Sequence, residues 1–220
     1  MGCGCCTHAL TEKDILRVVV FGLENSGKTS LVQCLKTSNK ISETSKYIST
    51  HGVIGVNIYL NIQTKLNLLI FDCGGCKHQR HIWPHLFNDS DVILFTIDSI
   101  DLTCLNDAKD ALFDLLTDES LLNKPLLIVF TKSDKRKNIN VTHLEQILNL
   151  SMIQDRPIHK VLFSSVTLDG LTSMLTWFTY FSYCKLHGKE MTISTNNKYQ
   201  ISESLNLSTP SNNKIKTRKK

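Results

Sequence analysis

The stretch Gly22-Leu23-Glu24-Asn25-Ser26-Gly27-Lys28-Thr29 has the residue types and spacing to hold a row of phosphates, matching G-x4-G-K-[ST]. Gly22 and Gly27 let the backbone curl so that successive N–H groups face an anion. The helix expected from Lys28 adds positive potential at its N-terminus. Lys28 supplies a point charge for β- and γ-phosphates, and the Thr29 hydroxyl is a ligand for Mg²⁺. The context supports the match, because the loop follows the Val-rich run Leu16–Phe21 and opens a helical stretch. The alternative, a Gly-rich turn without a ligand, leaves that context unexplained.

Two further groups fit the same chemistry. Asp72 closes the apolar run Leu66–Phe71 and stands where a carboxylate holds Mg²⁺, commonly through water. Gly75, two residues before Lys77, can bring its N–H close to a γ-phosphate. About 100 residues beyond the loop, Thr131-Lys132-Ser133-Asp134 follows the apolar run Leu126–Phe130. A carboxylate at Asp134 can accept from guanine N1–H and the 2-amino group, a pair that adenine does not offer. The Lys132 stem can lie over the base plane, and Ser164-Ser165 can give a backbone N–H to guanine O6. The expected ligands are GTP and GDP with Mg²⁺.

These residues need a scaffold that brings strand ends together. Leu16–Phe21, Leu66–Phe71, Val92–Ile97, Leu126–Phe130 and the shorter Val161–Phe163 are apolar runs of strand length. Val56, Ile58 and Leu60 alternate with polar neighbours, as in a half-buried strand. Helical patterns at Lys28–Leu35, Leu105–Leu116, Thr142–Leu150 and Leu171–Leu186 separate most of them. Strands and helices in alternation predict an α/β fold, a mostly parallel sheet with helices on both faces.

With these motifs in place, the chain resembles the Arf/Arf-like branch of the small GTPases over about residues 15 to 186. Gly22 to Ser30 resembles that branch's phosphate loop, and Val53-Ile54-Gly55-Val56-Asn57 its switch I. Asp72-Cys73-Gly74-Gly75 is similar to its D-x-G-G motif, and His81–Phe87 to the segment that follows. The resemblance implies a P-loop NTPase fold, a small G-domain with a six-stranded sheet. It implies two nucleotide states, effector proteins that read the GTP form, and exchange and activating factors.

Three residues depart from the family pattern. The Gln after D-x-G-G, which orients the attacking water, is Cys76 here, and a thiol cannot donate and accept as an amide does. Slow hydrolysis is expected; reach of the water by Gln79 or His78 is the alternative, although their spacing is wrong for direct replacement. The switch I Thr that binds Mg²⁺ aligns with Val53, so Thr50 can serve only if the loop moves. The Asn of the base motif is Thr131, a mild change. Cys73 and Cys76 also form a C-x-x-C, for which a redox role is the alternative reading. The lone His143, His159 and His187 read as surface or core residues rather than metal ligands.

Composition bounds the rest. Residues 1–187 carry 18 basic and 18 acidic residues, and from Gly188 onward seven basic residues face two acidic. A neutral body argues against a nucleic-acid binder. No apolar run reaches the roughly 18 residues of a membrane span, and no secretory signal opens the chain. The eight cysteines read as free thiols of a cytosolic protein. Gly2 beside Cys3, Cys5 and Cys6 suits myristate plus palmitate, although the sixth position is Cys rather than Ser or Thr. Two acyl chains give stable anchoring where one is marginal. An unmodified or metal-binding Cys-rich tip is the alternative. Lys214 to Lys220 holds five basic residues that would assist an anchor on an anionic leaflet, a solvated tail or nuclear-type signal being the rival readings. The expected organisation is an anchor segment at 1–14, a GTPase domain at 15–187 and a disordered basic tail at 188–220. The expected protein is a monomer, peripheral on the cytosolic face of a membrane.

Overall fold

A computed structural model describes residues 14–37, 50–62, 64–136 and 138–189. The acylation candidates Gly2, Cys3, Cys5 and Cys6, and the basic tail from 190 onward, lie outside the described residues.

Six strands form one sheet: β1 (Ile15–Gly22), β2 (Val53–Ile62), β3 (Thr64–Cys73), β4 (Val92–Asp98), β5 (Leu126–Thr131) and β6 (Ile158–Leu162). Their order is β2-β3-β1-β4-β5-β6. All neighbours are parallel except the β2–β3 hairpin, where Val53 pairs with Cys73 and Ile54 with Asp72. Four helices follow the strand order: α1 (Lys28–Thr37), α2 (Leu105–Leu116), α3 (Val141–Ile147) and α4 (Leu171–Leu186).

The alternation of β1 splits the core into two layers. Leu16, Val18 and Val20 face one side, with Leu31 and Leu35 of α1 and Met174, Trp177 and Phe181 of α4. Val19 and Phe21 face the other, with Leu112 and Leu115 of α2, Leu144 of α3, Trp83 and Phe87. The part of β1 buried on both faces has no polar position to spare, which is why Val18–Phe21 reads as continuous Val and Phe. Trp177 and Phe181 are fully buried with ring centroids 4.6 Å apart. Truncating either to Ala costs about 3–5 kcal/mol.

The helices at Leu105–Leu116 and Leu171–Leu186 end where the sequence pattern ends them. Most other boundaries shift by one to three residues, and three of the shifts have a visible cause. The strand expected to stop at Phe71 continues through Asp72 to Cys73, because pairing with Ile54 and Val53 carries the ladder on. The third helix ends at Ile147, and Leu150–Met152 forms a separate 3₁₀ turn after the left-handed Asn149. The last strand is Ile158–Leu162, set back by its pairing with Leu126–Phe130. A 3₁₀ segment at Lys77–Leu86 follows the Gly-Gly pair and was not legible in the sequence.

Candidate functional site

In a parallel sheet the C-terminal strand ends share one edge, so β1, β4 and β5 deliver their following loops side by side. The loop after β1 is Leu23 to Gly27. Gly22 has φ +143° and Gly27 φ +88°, values that side-chain-bearing residues rarely adopt. A Cβ on Gly22 would lie 2.4 Å from the Thr96 hydroxyl on β4, so that position excludes every other residue. Asn25 takes φ 59°, the left-handed conformation that Asn tolerates well. Ser26 is buried and shares a 2.6 Å hydrogen bond with the Thr96 hydroxyl.

Lys28 opens α1 and turns back into the loop. Its Nζ donates to the carbonyls of Leu23 at 2.6 Å and Gly22 at 3.1 Å. Burial pushes its pKa down to about 8, partly offset by the Asp72 carboxylate. A lysine so placed is aimed at the centre of the loop and held in a poorly hydrated setting, where an arriving anion would be attracted strongly. Ser30, the next residue but one, is half-buried on α1.

Thr29 Oγ1 donates to Asp72 Oδ2 at 2.7 Å and lies 2.9 Å from Thr50 Oγ1. Asp72 is 2% exposed, its carboxyl pKa is raised by burial, and its second oxygen, Oδ1, has no partner. Two hydroxyls and a carboxylate with a vacant lone pair form a hard oxygen set, which fits Mg²⁺ completed by phosphate oxygens and water. Thr50 therefore reaches the cluster, and Val53 does not. The chain turns at Gly52, φ +81°, whose carbonyl accepts from Gly74 N–H at 2.8 Å, and Val53 is then spent on pairing with Cys73.

Gly75 presses on the phosphate loop. A Cβ there would meet the Gly22 carbonyl oxygen and Lys28 Nζ, each at 2.5 Å. Gly74 accepts from Trp83 Nε1 at 3.0 Å, and Gly75 from Arg80 Nε at 3.1 Å, so the 3₁₀ segment grips both glycines. Trp83 in turn packs against Phe21 at the end of β1, with centroids 5.0 Å apart and the rings tilted by 46°. Cys76 is half-buried, with its thiol 3.6 Å from His78 Nε2. Cys73 is fully buried in the core, and burial drives its thiol pKa far up, which leaves it inert as a thiolate. The geometry does not support a redox pair. Among the described residues no cluster of three or more His, Cys, Asp and Glu could hold a metal ion.

The base motif sits against the same loop. The Thr131 hydroxyl donates to the Ser26 carbonyl at 2.7 Å, and Gly27 packs on the Thr131 side chain. The mild change from Asn to Thr thus keeps a tether between the two motifs. Lys132 takes φ 59°, and its amine pairs with Asp98 at the end of β4 at 2.6 Å, which fixes the direction of the stem. Asp134 Oδ1 accepts from the Ser164 hydroxyl at 2.6 Å, while that hydroxyl accepts from the N–H groups of Val166 and Thr167, both at 3.1 Å. Ser165 lies beyond it, its carbonyl accepting weakly from the Cys34 thiol at 3.7 Å. Sequence reasoning missed Thr96, Asp98 and Ser99, whose hydroxyl donates to the Thr131 carbonyl at 2.6 Å. The available signal was polarity at the end of the otherwise apolar run Val92–Ile97. It also missed the contact of Gln79 with His51, where Nε2 and Nδ1 are 2.8 Å apart.

A six-stranded, mostly parallel sheet with this loop, carboxylate and base motif along one edge is the small G-domain of the phosphate-loop nucleotide-binding proteins. Comparison with known proteins then fixes the family. The model for the ADP-ribosylation factor family matches residues 5–181. ADP-ribosylation factor-like protein 6 of Danio rerio is 31% identical over 168 residues, 76% of this chain and 88% of that protein. ADP-ribosylation factor-like protein 2 of Arabidopsis thaliana is 36% identical over 167 residues, 76% of this chain and 86% of that protein. The solved Arl6 BBS3 small GTPase of Trypanosoma brucei, with the bound nucleotide analogue GppNp, superposes with a TM-score of 0.66 at 23% identity. The match covers 78% of this chain and 99% of that one, a likeness of fold. The chain belongs to the ADP-ribosylation factor family, as an Arf-like small GTPase.

Proposed function

We propose that this chain is a guanine-nucleotide switch that binds GTP and GDP with Mg²⁺, hydrolyses GTP slowly and recruits effector proteins in the GTP state. One observation carries the reading: the Thr131 hydroxyl bonds to the Ser26 carbonyl, so the loop around Lys28 and the carboxylate of Asp134 flank a single site. Lys28 and the loop N–H groups would hold the phosphates, Thr29, Thr50 and Asp72 would hold Mg²⁺, and Asp134 would select guanine. The metal, when bound, supplies charge neutralisation between β- and γ-phosphate oxygens. The exposed Ile54 on β2 lies beside the switch I turn and offers apolar surface to a partner.

The test is nucleotide extraction from the natively purified protein, followed by competition of GTP against ATP. Guanine nucleotide should be recovered, and ATP should fail to displace it. Equal binding of ATP would support a phosphotransferase of a different class.

A second reading, a GTP-bound scaffold without useful hydrolysis, is favoured by Cys76, which offers no amide to the attacking water. In single-turnover assays Cys76→Gln should speed hydrolysis severalfold. No hydrolysis in either form, even with activating proteins, would favour the scaffold. Membrane attachment by myristate on Gly2 and palmitate on Cys3, Cys5 or Cys6 completes the proposal and rests on the sequence. Gly2→Ala, and Ser at all three cysteines, should each release the protein from membranes. Full retention of both variants would refute the anchor.

A further inference from the structure

The segment after Gly75 contains a glutamine that the family pattern does not use. Gln79 is 8% exposed, on a 3₁₀ segment whose neighbours Lys77 and His78 are exposed. A 3₁₀ turn has three residues per turn, so residues i and i+3 lie one above the other. Here the Gln79 N–H donates to the Cys76 carbonyl at 2.9 Å, which closes that turn. The spacing of three that looks wrong along an extended chain therefore returns Gln79 to the side of the segment from which Cys76 starts.

Its amide is held at one end and vacant at the other. Nε2 lies 2.8 Å from His51 Nδ1 in the switch I turn, while Oε1 is buried without a hydrogen-bond partner. That oxygen lies 2.1 Å from where a Cβ on Gly74 would stand, and the Thr50 carbonyl oxygen lies 2.8 Å from the same point. Two acceptors from the two switch segments thus converge beside Gly74, one residue before the Gly75 that packs on Lys28. A buried amide oxygen without a donor bears its desolvation penalty unrelieved, so its retention calls for a ligand. A water has two protons to donate, one for each of these acceptors.

We propose that Gln79 takes over from the missing amide at position 76. With the Thr50 carbonyl, it accepts from and aims the water that attacks the γ-phosphorus of bound GTP, and His51 is the positioning residue that holds the amide. This rests on the GTP-binding reading above. In the step, the water oxygen forms a bond to γ-phosphorus as the bond to the β–γ bridging oxygen breaks. The electron pair of that bond leaves with GDP, and the water's transferred proton ends on inorganic phosphate. Gln79 exchanges no electrons and keeps its protons. The slow rate expected from Cys76 is then the rate that this substitute arrangement supports.

The full chain, loaded with GTP and Mg²⁺, is assayed for single-turnover phosphate release. Gln79→Leu, which keeps the volume and removes the acceptor, should lower the rate about tenfold or more with the unfolding midpoint and GTP affinity retained. Cys76→Gln in that background should restore the rate. The exposed His51 allows a variant that does not threaten the core: His51→Ala should slow hydrolysis severalfold, and His51→Asn, which retains an acceptor, should recover part of it. Wild-type rates in Gln79→Leu with GTP bound would overturn the proposal. So would complete absence of turnover in the wild type, which leaves GTP binding standing. Failure of the wild type to bind GTP at all would instead remove the reading on which the proposal rests.

Discussion

The base end and the switch end of the site are built on opposite principles. At the base end the polar groups satisfy one another: Asp134 takes the Ser164 hydroxyl, Lys132 takes Asp98, and Thr131 takes the Ser26 and Ile97 carbonyls. At the switch end, buried polar groups are left open. Among the described residues three buried side-chain polar atoms lack a partner. Two of them, Asp72 Oδ1 and Gln79 Oε1, belong to the D-x-G-G motif and the 3₁₀ segment after it, and the third, Trp177 Nε1, lies in the far core. A region whose bonds close internally is set before a ligand arrives. A region with vacant acceptors is completed by one, so its conformation follows what is bound. The same edge of one sheet thus carries a fixed reader of the base and an adjustable reader of the phosphates.

The largest expected effect lies at the fixed end. Asp134→Ala removes the two acceptors for guanine and leaves the Ser164 hydroxyl without the acceptor for its proton. A site built to hydrogen-bond a ligand discriminates strongly only while its own polar groups are present. GTP affinity should fall about a hundredfold, and the preference for GTP over ATP should largely vanish. Competition titrations with both nucleotides check this, and retained selectivity would show that the base is read elsewhere.

A smaller effect is expected at the adjustable end. Thr50→Val removes one hydroxyl of the oxygen set while Thr29 and Asp72 remain. The Mg²⁺ concentration needed for half-maximal slowing of GDP release should rise about tenfold, within the range for loss of an outer or weak ligand. Val53→Thr should change it little, because that position is paired into β2 opposite Cys73. If Val53→Thr instead strengthens Mg²⁺ binding sharply, the turn at Gly52 rearranges when nucleotide enters, and the switch end is more adjustable than its described geometry shows.

Legibility in the sequence followed the same division. The phosphate loop, Asp72 and the Thr131–Asp134 motif were readable because each is a short local pattern next to an apolar strand, and the strand order places them together. The helix at Leu105–Leu116 was readable to the residue, since its periodic apolar face decides it. The arrival of Thr50 was not, because it depends on the bond from Gly74 N–H to the Gly52 carbonyl, 22 residues away in sequence. Gln79 was discounted for its spacing, since a 3₁₀ turn after Gly-Gly has no sequence signal comparable to helical periodicity. Asp98 was hidden as an ordinary strand-ending residue, because its ion pair is with Lys132 after the neighbouring strand.

The smallest expected effect connects the two ends through Lys28. Burial holds its pKa near 8, against 10.5 for an ordinary lysine. Between those values the unfolded chain binds more protons at this group than the folded one, so its contribution to stability rises with pH across about 8 to 10.5. Nucleotide affinity runs the opposite way. A triphosphate beside the amine favours the charged form, so binding takes up a proton once the free protein has lost it. Affinity for GTP should therefore fall about threefold from pH 7.5 to 8.5, the change given by the protonated fraction of a single group with a pKa near 8. Calorimetric titrations at pH 8.5 in buffers of different ionisation enthalpy should report proton uptake on binding. Lys28→Arg, charged throughout this range, should abolish both the uptake and the slope. Uptake that persists in the Arg variant would place the proton on another group, and the contrast between the two ends would then lose Lys28 as its link.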